Sequence, residues 1–311
     1  MNSCLQKTLR WCALVWLGLL IPMATAAPAP GADQGAFVQS FDFGAVDWTR
    51  GLVLAAAEGS APETAGTREK GFALARRQAL IEARHRLFGT VQKIRIQGPQ
   101  TVKDRMLRRA GLETRLRELI HVSPRMRTER FQDGTRVRAE ARLDLKDLAR
   151  VCLSPSVWTA RSPENEPDGR PQNASLNGTG PLPEARSYSG LVLDARGTGV
   201  SPALAFQVYD QQGQVVLGPG EVDPQLGQAK GVVQFFSELE AAGIQERVGR
   251  RPLRIRVAGA APGSGGDAQI SDLDAFRLAL ARGVNDFVAS CSVAVIIRSS
   301  DDSRVIEYSI D

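Results

Sequence analysis

Between Arg136 and Leu145 the chain alternates between apolar and charged residues without a break. Val137, Ala139, Ala141, Leu143 and Leu145 fall on one side of an extended backbone, and Arg136, Arg138, Glu140, Arg142 and Asp144 on the other. A two-residue period is the mark of a β-strand with one buried and one wetted face. Asp133-Gly134 separates this run from Met126–Phe131, and Asp-Gly between two such segments marks a hairpin. The apolar face of that hairpin needs a cover, because a lone two-stranded ribbon is barely stable in water.

The cover lies upstream. Phe72, Ala79, Leu80, Ala83, Leu87 and Val91 recur at three- and four-residue spacing, with Arg76, Arg77, Arg84 and Arg86 mostly elsewhere. That spacing predicts a long helix over 68–94 with Thr67 as its N-cap. Phe37–Glu58 holds Val46, Trp48, Leu52 and Val53 ahead of an alanine run, and reads as one strand bulged at Gly51. Val102–Val122 reads as one or two helices, broken near Gly111 and ended by Pro124. Residues 27–153 are thus a small α+β domain, its helices laid on one face of an antiparallel sheet.

Ser154–Ser187 carries six prolines among Gly, Ser and Asn, and reads as a disordered linker. Its sequons at Asn173 and Asn177 read as chance in such a composition. Beyond it, 188–311 reads as a second α+β domain. The pattern gives a strand at Leu191–Leu193, a hairpin around Asp210-Gln-Gln-Gly213, and a helix at Val232–Ala242. A strand at Leu253–Ala258, a helix at Asp272–Ala281 capped by Ser271, and a strand at Cys291–Arg298 complete it. The expected fold class is α+β: two small domains, each an antiparallel or mixed sheet with helices on one face, joined by a Pro/Gly/Ser/Asn-rich linker.

Lys7 and Arg10 precede an apolar run from Trp11 to Ala24, and Ala24-Thr25-Ala26 supplies the small-x-small pattern of signal cleavage. Residues 1–26 therefore read as an export signal cut after Ala26, too short for a membrane anchor. Cys4 precedes the apolar run and Cys12 lies inside it, and neither has the small-residue setting of a lipid-attachment site. Cys152 and Cys291 remain. In an oxidising compartment they are a candidate disulfide between the two domains; the alternative is two small buried hydrophobes.

The formal net charge of +5 hides an asymmetry: 68–150 holds 22 Lys/Arg against 10 Asp/Glu, and 151–311 holds 14 against 19. Arg136, Arg138 and Arg142 share a strand face, a candidate stripe for an anionic lipid or polymer; the plainer reading is a solvated arginine-rich face. Only Phe131 is near, so stacking on bases has no support, and export argues against nucleic acid. The two histidines, His85 and His121, stand apart from each other, and HExxH, CxxC and GxSxG are all missing from the sequence. Gly197-x-Gly199 lacks a third glycine, and Gly218-Pro-Gly220 is not followed by Lys-Ser/Thr. No metal, cofactor or catalytic activity is expected. Asp194 and Arg196, just past a buried strand, are the remaining candidate ligand group; alternatively they pair with each other.

Tyr188-Ser-Gly-Leu-Val-Leu-Asp-Ala-Arg-Gly, Pro202-Ala, Tyr209-Asp with Gly213, and Ile270-Ser-Asp-Leu-Asp-Ala ahead of Cys291-Ser-Val-Ala-Val-Ile-Ile resemble a group of exported bacterial proteins. These are the LPP-twenty outer-membrane lipoprotein family and its relative, flagellar assembly protein T. Ala75-Arg-Arg-Gln-Ala-Leu-Ile-Glu-Ala-Arg is similar to the Ala/Arg-rich long helix of that group. The resemblance implies a non-enzymatic periplasmic protein that docks onto an envelope assembly, with outer-membrane or flagellar basal-body proteins as partners. Missing the lipid-attachment cysteine, this chain departs from the lipoproteins in having no expected anchor. The alternative function is a binding module for an anionic envelope polymer or lipid, using the basic 68–150 domain.

Overall fold

The computed structural model describes residues 35–132, 134–159 and 187–297, all within one compact unit. The expected export signal, both sequons, Asp133 and most of the expected linker lie outside the described residues.

The first lobe runs β1 (Val38–Phe41), β2 (Gly44–Asp47), β3 (Leu52–Ser60), α1 (Arg68–Lys93), β4 (Arg95–Gln97) and β5 (Gln100–Thr101). It continues with α2 (Val102–Arg108), α3 (Leu112–Val122), β6 (Arg125–Arg130), β7 (Arg136–Asp144) and α4 (Leu145–Cys152). Its main sheet is antiparallel, in the order β1-β2-β3-β7-β6. The hairpin and its helical cover form as the alternation and spacing predict, and Thr67 caps α1 by accepting from the Lys70 amide.

Why α1 fits this sheet follows from residue size. Gly71, Ala75, Ala79, Ala83, Leu87 and Val91, each four apart, are its buried row. They face Ala55, Ala57, Ala139 and Ala141, buried on β3 and β7. Small residues on both surfaces let the two backbones approach: a β-carbon on Gly59 would lie 2.1 Å from the Ala75 carbonyl oxygen.

The single strand expected over 37–58 is instead three strands. Asp42-Phe43 turns β1 into β2. Asp47 then turns β2 into β3, its carboxylate accepting from the Arg50 amide at 2.8 Å, while Gly51 takes φ +68°. Short Asp-initiated turns, not a bulge, explain the mixed hydropathy of the segment. The short strands β4 and β5 carry no clear pattern in the sequence, whereas helix α4, unassigned above, buries Leu145, Leu148 and Cys152 at helical spacing.

The second lobe runs β8 (Gly190–Asp194), β9 (Val208–Tyr209), β10 (Val215–Leu217), α5 (Pro224–Lys230), β11 (Gln234–Phe236) and α6 (Ala242–Val248). Then come β12 (Pro252–Arg256), β13 (Gly259–Ala260), β14 (Ala268–Gln269), α7 (Asp272–Val284) and β15 (Val293–Ile296). Its main sheet, β11-β15-β8-β12, is parallel throughout, and a small mixed sheet, β10-β9-β14-β13, lies beside it. The helix expected over 232–242 is strand β11, with α6 beginning only at 242. The run Val232-Val233-Gln234-Phe235-Phe236 is β-branched and aromatic, which favours a strand buried on both faces, and such strands lose their alternation. The chain as a whole is α+β.

The hydrophobic core passes from one lobe into the other without interruption. Trp48 meets Phe235 edge to face at 5.6 Å, and Phe235 meets Phe206 the same way at 5.3 Å. Thr49 Oγ1 donates to the Phe235 carbonyl at 2.6 Å, and Gln234 Nε2 donates back to the Thr49 carbonyl at 2.7 Å. The start of the expected linker is ordered: 155–158 form a short helical turn that buries Trp158.

The strongest tie is Arg95. Its guanidinium reaches the carbonyls of Gly98 at 3.0 Å, Pro202 at 3.2 Å and Ser264 at 3.1 Å, that of Ser201, and Asp267 Oδ1 at 2.9 Å. Beside it the β4 carbonyls of Arg95 and Ile96 accept from Leu204 and Ala205. Burial pushes the Arg95 pKa down and the Asp267 carboxyl up, each opposed by attraction to the other.

Candidate functional site

Asp194 ends β8 at the carboxyl edge of the parallel sheet, the edge where open α/β sheets place ligands. Its carboxylate is occupied. Arg196 donates from Nε to Oδ1 at 2.8 Å and from Nη2 to Oδ2 at 2.7 Å, a two-pronged fork within one turn. These bonds hold the Asp194 carboxyl below its ordinary value and raise the Arg196 guanidinium. A guanidinium whose fork is filled by its neighbour is a turn brace, the simpler of the two readings of these residues.

Arg136, Arg138 and Arg142 share the sheet face opposite α1, as alternation requires. Carboxylates stand among them. Glu140 lies 3.6 Å from Arg138 and 3.3 Å from Arg142, and Glu58 lies 3.8 Å from Arg136. Asp144 takes Arg125 at 3.3 Å, and across the strands Glu129 stands opposite Arg138. The face is therefore a lattice of alternating sign, and Arg136 also stacks on Phe131 at 4.5 Å.

Of the two readings of Cys152 and Cys291, the structure has the second: both are free, buried thiols. Cys152 closes α4 near Arg105, Arg109 and Arg115, and burial pushes its thiol up to about 12. Cys291 lies near Arg247 and Lys230 and is likewise raised by burial. These are the properties of small core residues rather than of reactive cysteines. His85 and His121 are exposed, and among the described residues no three His, Cys, Asp or Glu gather as metal ligands.

A site absent from the sequence reading lies where the lobes meet. Gln97 and the Ser156–Val157 turn of the first lobe, with Gln207, Val215 and residues 218–221 of the second, line a half-open pocket of about 260 Å³. The charged side chain in its wall is Glu221, 3% exposed. Its Oε2 accepts from Arg282 at 3.2 Å; its Oε1 is buried without a hydrogen-bond partner. Arg282 is shared, since it also binds Asp286 at 3.1 Å. Gln207 Oε1 accepts from both Gln97 at 3.1 Å and the Tyr209 hydroxyl at 2.8 Å, which fixes the two amides. The sequence signal was Gly218-Pro-Gly220 itself. Tested only as a phosphate loop, it instead makes a tight turn that drives the following glutamate inward.

The family model of the Treponema pallidum Tp0624 second domain matches residues 190–301, about a third of the chain. The chain is similar to that domain from β8 through β15, the span that builds the second lobe. No curated protein matches the chain. Among the described residues no helix is long and apolar enough to cross a membrane.

Proposed function

We propose that this chain is an exported, non-catalytic protein of the bacterial periplasm that acts by docking, as one body, onto a protein assembly of the envelope. One observation carries the reading. Exposed large hydrophobics occur singly on most surfaces and need no explanation. Here Leu273, Leu280 and Val284, at 63%, 38% and 48% exposure, stack on the outer face of α7. The opposite face of the same helix already buries Leu278 and Ala281 in the core. A helix apolar on its solvent side as well as its core side is one whose outer face suits a protein partner. The occupant is an envelope subunit with an apolar contact surface, because Arg277 is the charged side chain within the stripe and carries its own partner, Asp274. The export-signal pattern, the resemblance over 188–297 and the interlocked lobes support the same reading.

The test is photo-crosslinking in cells from position 284, with the Leu273→Glu/Leu280→Glu double variant as control. Capture of one envelope protein, lost in the variant at unchanged thermal stability, is the expected result. The same captured set with the variant, or only polymer or lipid released by salt, overturns it.

A further inference from the structure

We infer that the outer edge of β12 is a docking strand for an extended, acidic segment of a partner protein, a surface distinct from the outer face of α7. β12 ends the parallel sheet β11-β15-β8-β12. The Val257 amide donates to the Asp194 carbonyl, and the Arg251 carbonyl accepts from the Ser189 amide, so the odd-numbered residues bond to β8. The N–H and C=O of Arg254 and Arg256 therefore face away from the sheet, and among the described residues no backbone group meets them. The edge closes at Ala258, whose amide donates to the Gln269 carbonyl at 2.8 Å.

The side chains along this edge carry one sign. Leu253 and Ile255 turn into the core, so Arg254 and Arg256 share the other face, both exposed, with Arg250 and Arg251 exposed just ahead of them. Asp194, opposite Arg256 in the register, is already filled by the Arg196 fork, and among the described residues none of these four arginines forms an ion pair. The Arg251 amide donates to Ser189 Oγ at 2.9 Å, which fixes the run at its start. An open edge offers donors and acceptors to any strand; here charge narrows the choice. A second copy of this edge would set arginine against arginine, whereas a strand with carboxylates at alternate positions would place one against Arg254 and one against Arg256. β6, an edge strand of the first lobe, holds Glu129 among its arginines and sets no such preference.

The probe is a short peptide alternating glutamate with valine, blocked at both ends, fluorescently labelled and titrated with the full chain by anisotropy. A dissociation constant of about 1 mM or tighter at low salt is expected, weakening as salt is raised. Alternate amides of a strand point to opposite edges. Of two versions, N-methylated at the glutamate or at the valine amides, one should therefore bind and the other should not. Arg254→Glu/Arg256→Glu changes two exposed side chains and should leave the unfolding temperature unchanged. It should weaken binding of the glutamate peptide about tenfold or more, because two attractive contacts turn repulsive, and should bind the matching lysine–valine peptide instead. The inference fails if the glutamate peptide does not bind, or if both methylated versions bind alike, which would mean that charge alone is read. It fails equally if phosphatidylglycerol vesicles bind more tightly than the peptide, or if the double variant keeps the parent's preference.

Discussion

Arg95→Ala tests whether the two lobes are one cooperative body. The side chain is 11% exposed and its partner Asp267 fully buried. Truncation strands the Asp267 carboxylate in the interior and removes donors from four carbonyls, three of them in the second lobe. Leaving one member of a buried ion pair behind costs about 3–5 kcal/mol. Orphaned carbonyls add about 1 kcal/mol each where water cannot reach them, so the upper end of that range is expected. Asp267→Asn should cost less, because Arg95 keeps its carbonyls and the new side chain is neutral. Urea unfolding followed by far-ultraviolet circular dichroism and by tryptophan fluorescence gives the numbers, since Trp48 lies in the seam between the lobes. The exposed Arg117–Glu113 pair is the control, and its removal should cost about 0.5 kcal/mol or less. A loss below about 1 kcal/mol for Arg95→Ala, with both probes still coincident, would refute the keystone role.

Three further outcomes follow from the same structure. Gly227→Ala should destabilise by about 1–3 kcal/mol although alanine favours a helix over glycine by about 1 kcal/mol, because the new β-carbon would lie 2.3 Å from the Trp158 ring; a gain in unfolding temperature would refute this packing. Leu278→Ala, at 1% exposure, should cost about 2–5 kcal/mol and Leu280→Ala about 1 or less, so equal losses in urea unfolding would mean that the outer face of α7 is covered. The Cys152 thiol titrates higher in the folded than in the unfolded chain. Its contribution is therefore complete below the unfolded value of about 8.5 and is lost as pH rises toward the folded one. Between about pH 9 and 11, stability should fall by up to about 1.4 kcal/mol per unit more steeply in the parent than in Cys152→Ala; parallel slopes in urea unfolding would show an accessible thiol.

What could be read from the sequence followed periodicity and punctuation. β7, α1, α3 and α7 alternate or repeat over many residues and are bounded by Asp133-Gly134, Thr67, Gly111 or Ser271, so pattern and boundary agree; β6 follows only from its place across the Asp-Gly turn. β11 was misread because a strand buried on both faces shows no alternation, and a short apolar run does not distinguish strand from helix. β4 and β5 are too short to have a period, and their register comes from the second lobe through Leu204 and Ala205. The same holds for the site. Asp194 and Arg196 are two residues apart, so their pairing was readable as one of two outcomes. The carboxylates among Arg136, Arg138 and Arg142 were half visible: Glu140 and Asp144 lie in the same strand, but Glu58 arrives from β3. The Glu221 corner gathers residues from 97 to 286, and no local pattern foretells a contact made by tertiary packing.

The seam around Trp48 also sets the order in which the chain can finish folding. A chain made amino-terminus first completes the first lobe before Phe206 and Phe235 have been added. Until they arrive, Trp48 and the β4–β5 ribbon have no partners, and the first lobe holds an unsealed apolar edge. Contacts spanning well over a hundred residues close late and slowly. Separating the lobes at the linker would therefore give two halves with exposed apolar edges rather than two modules.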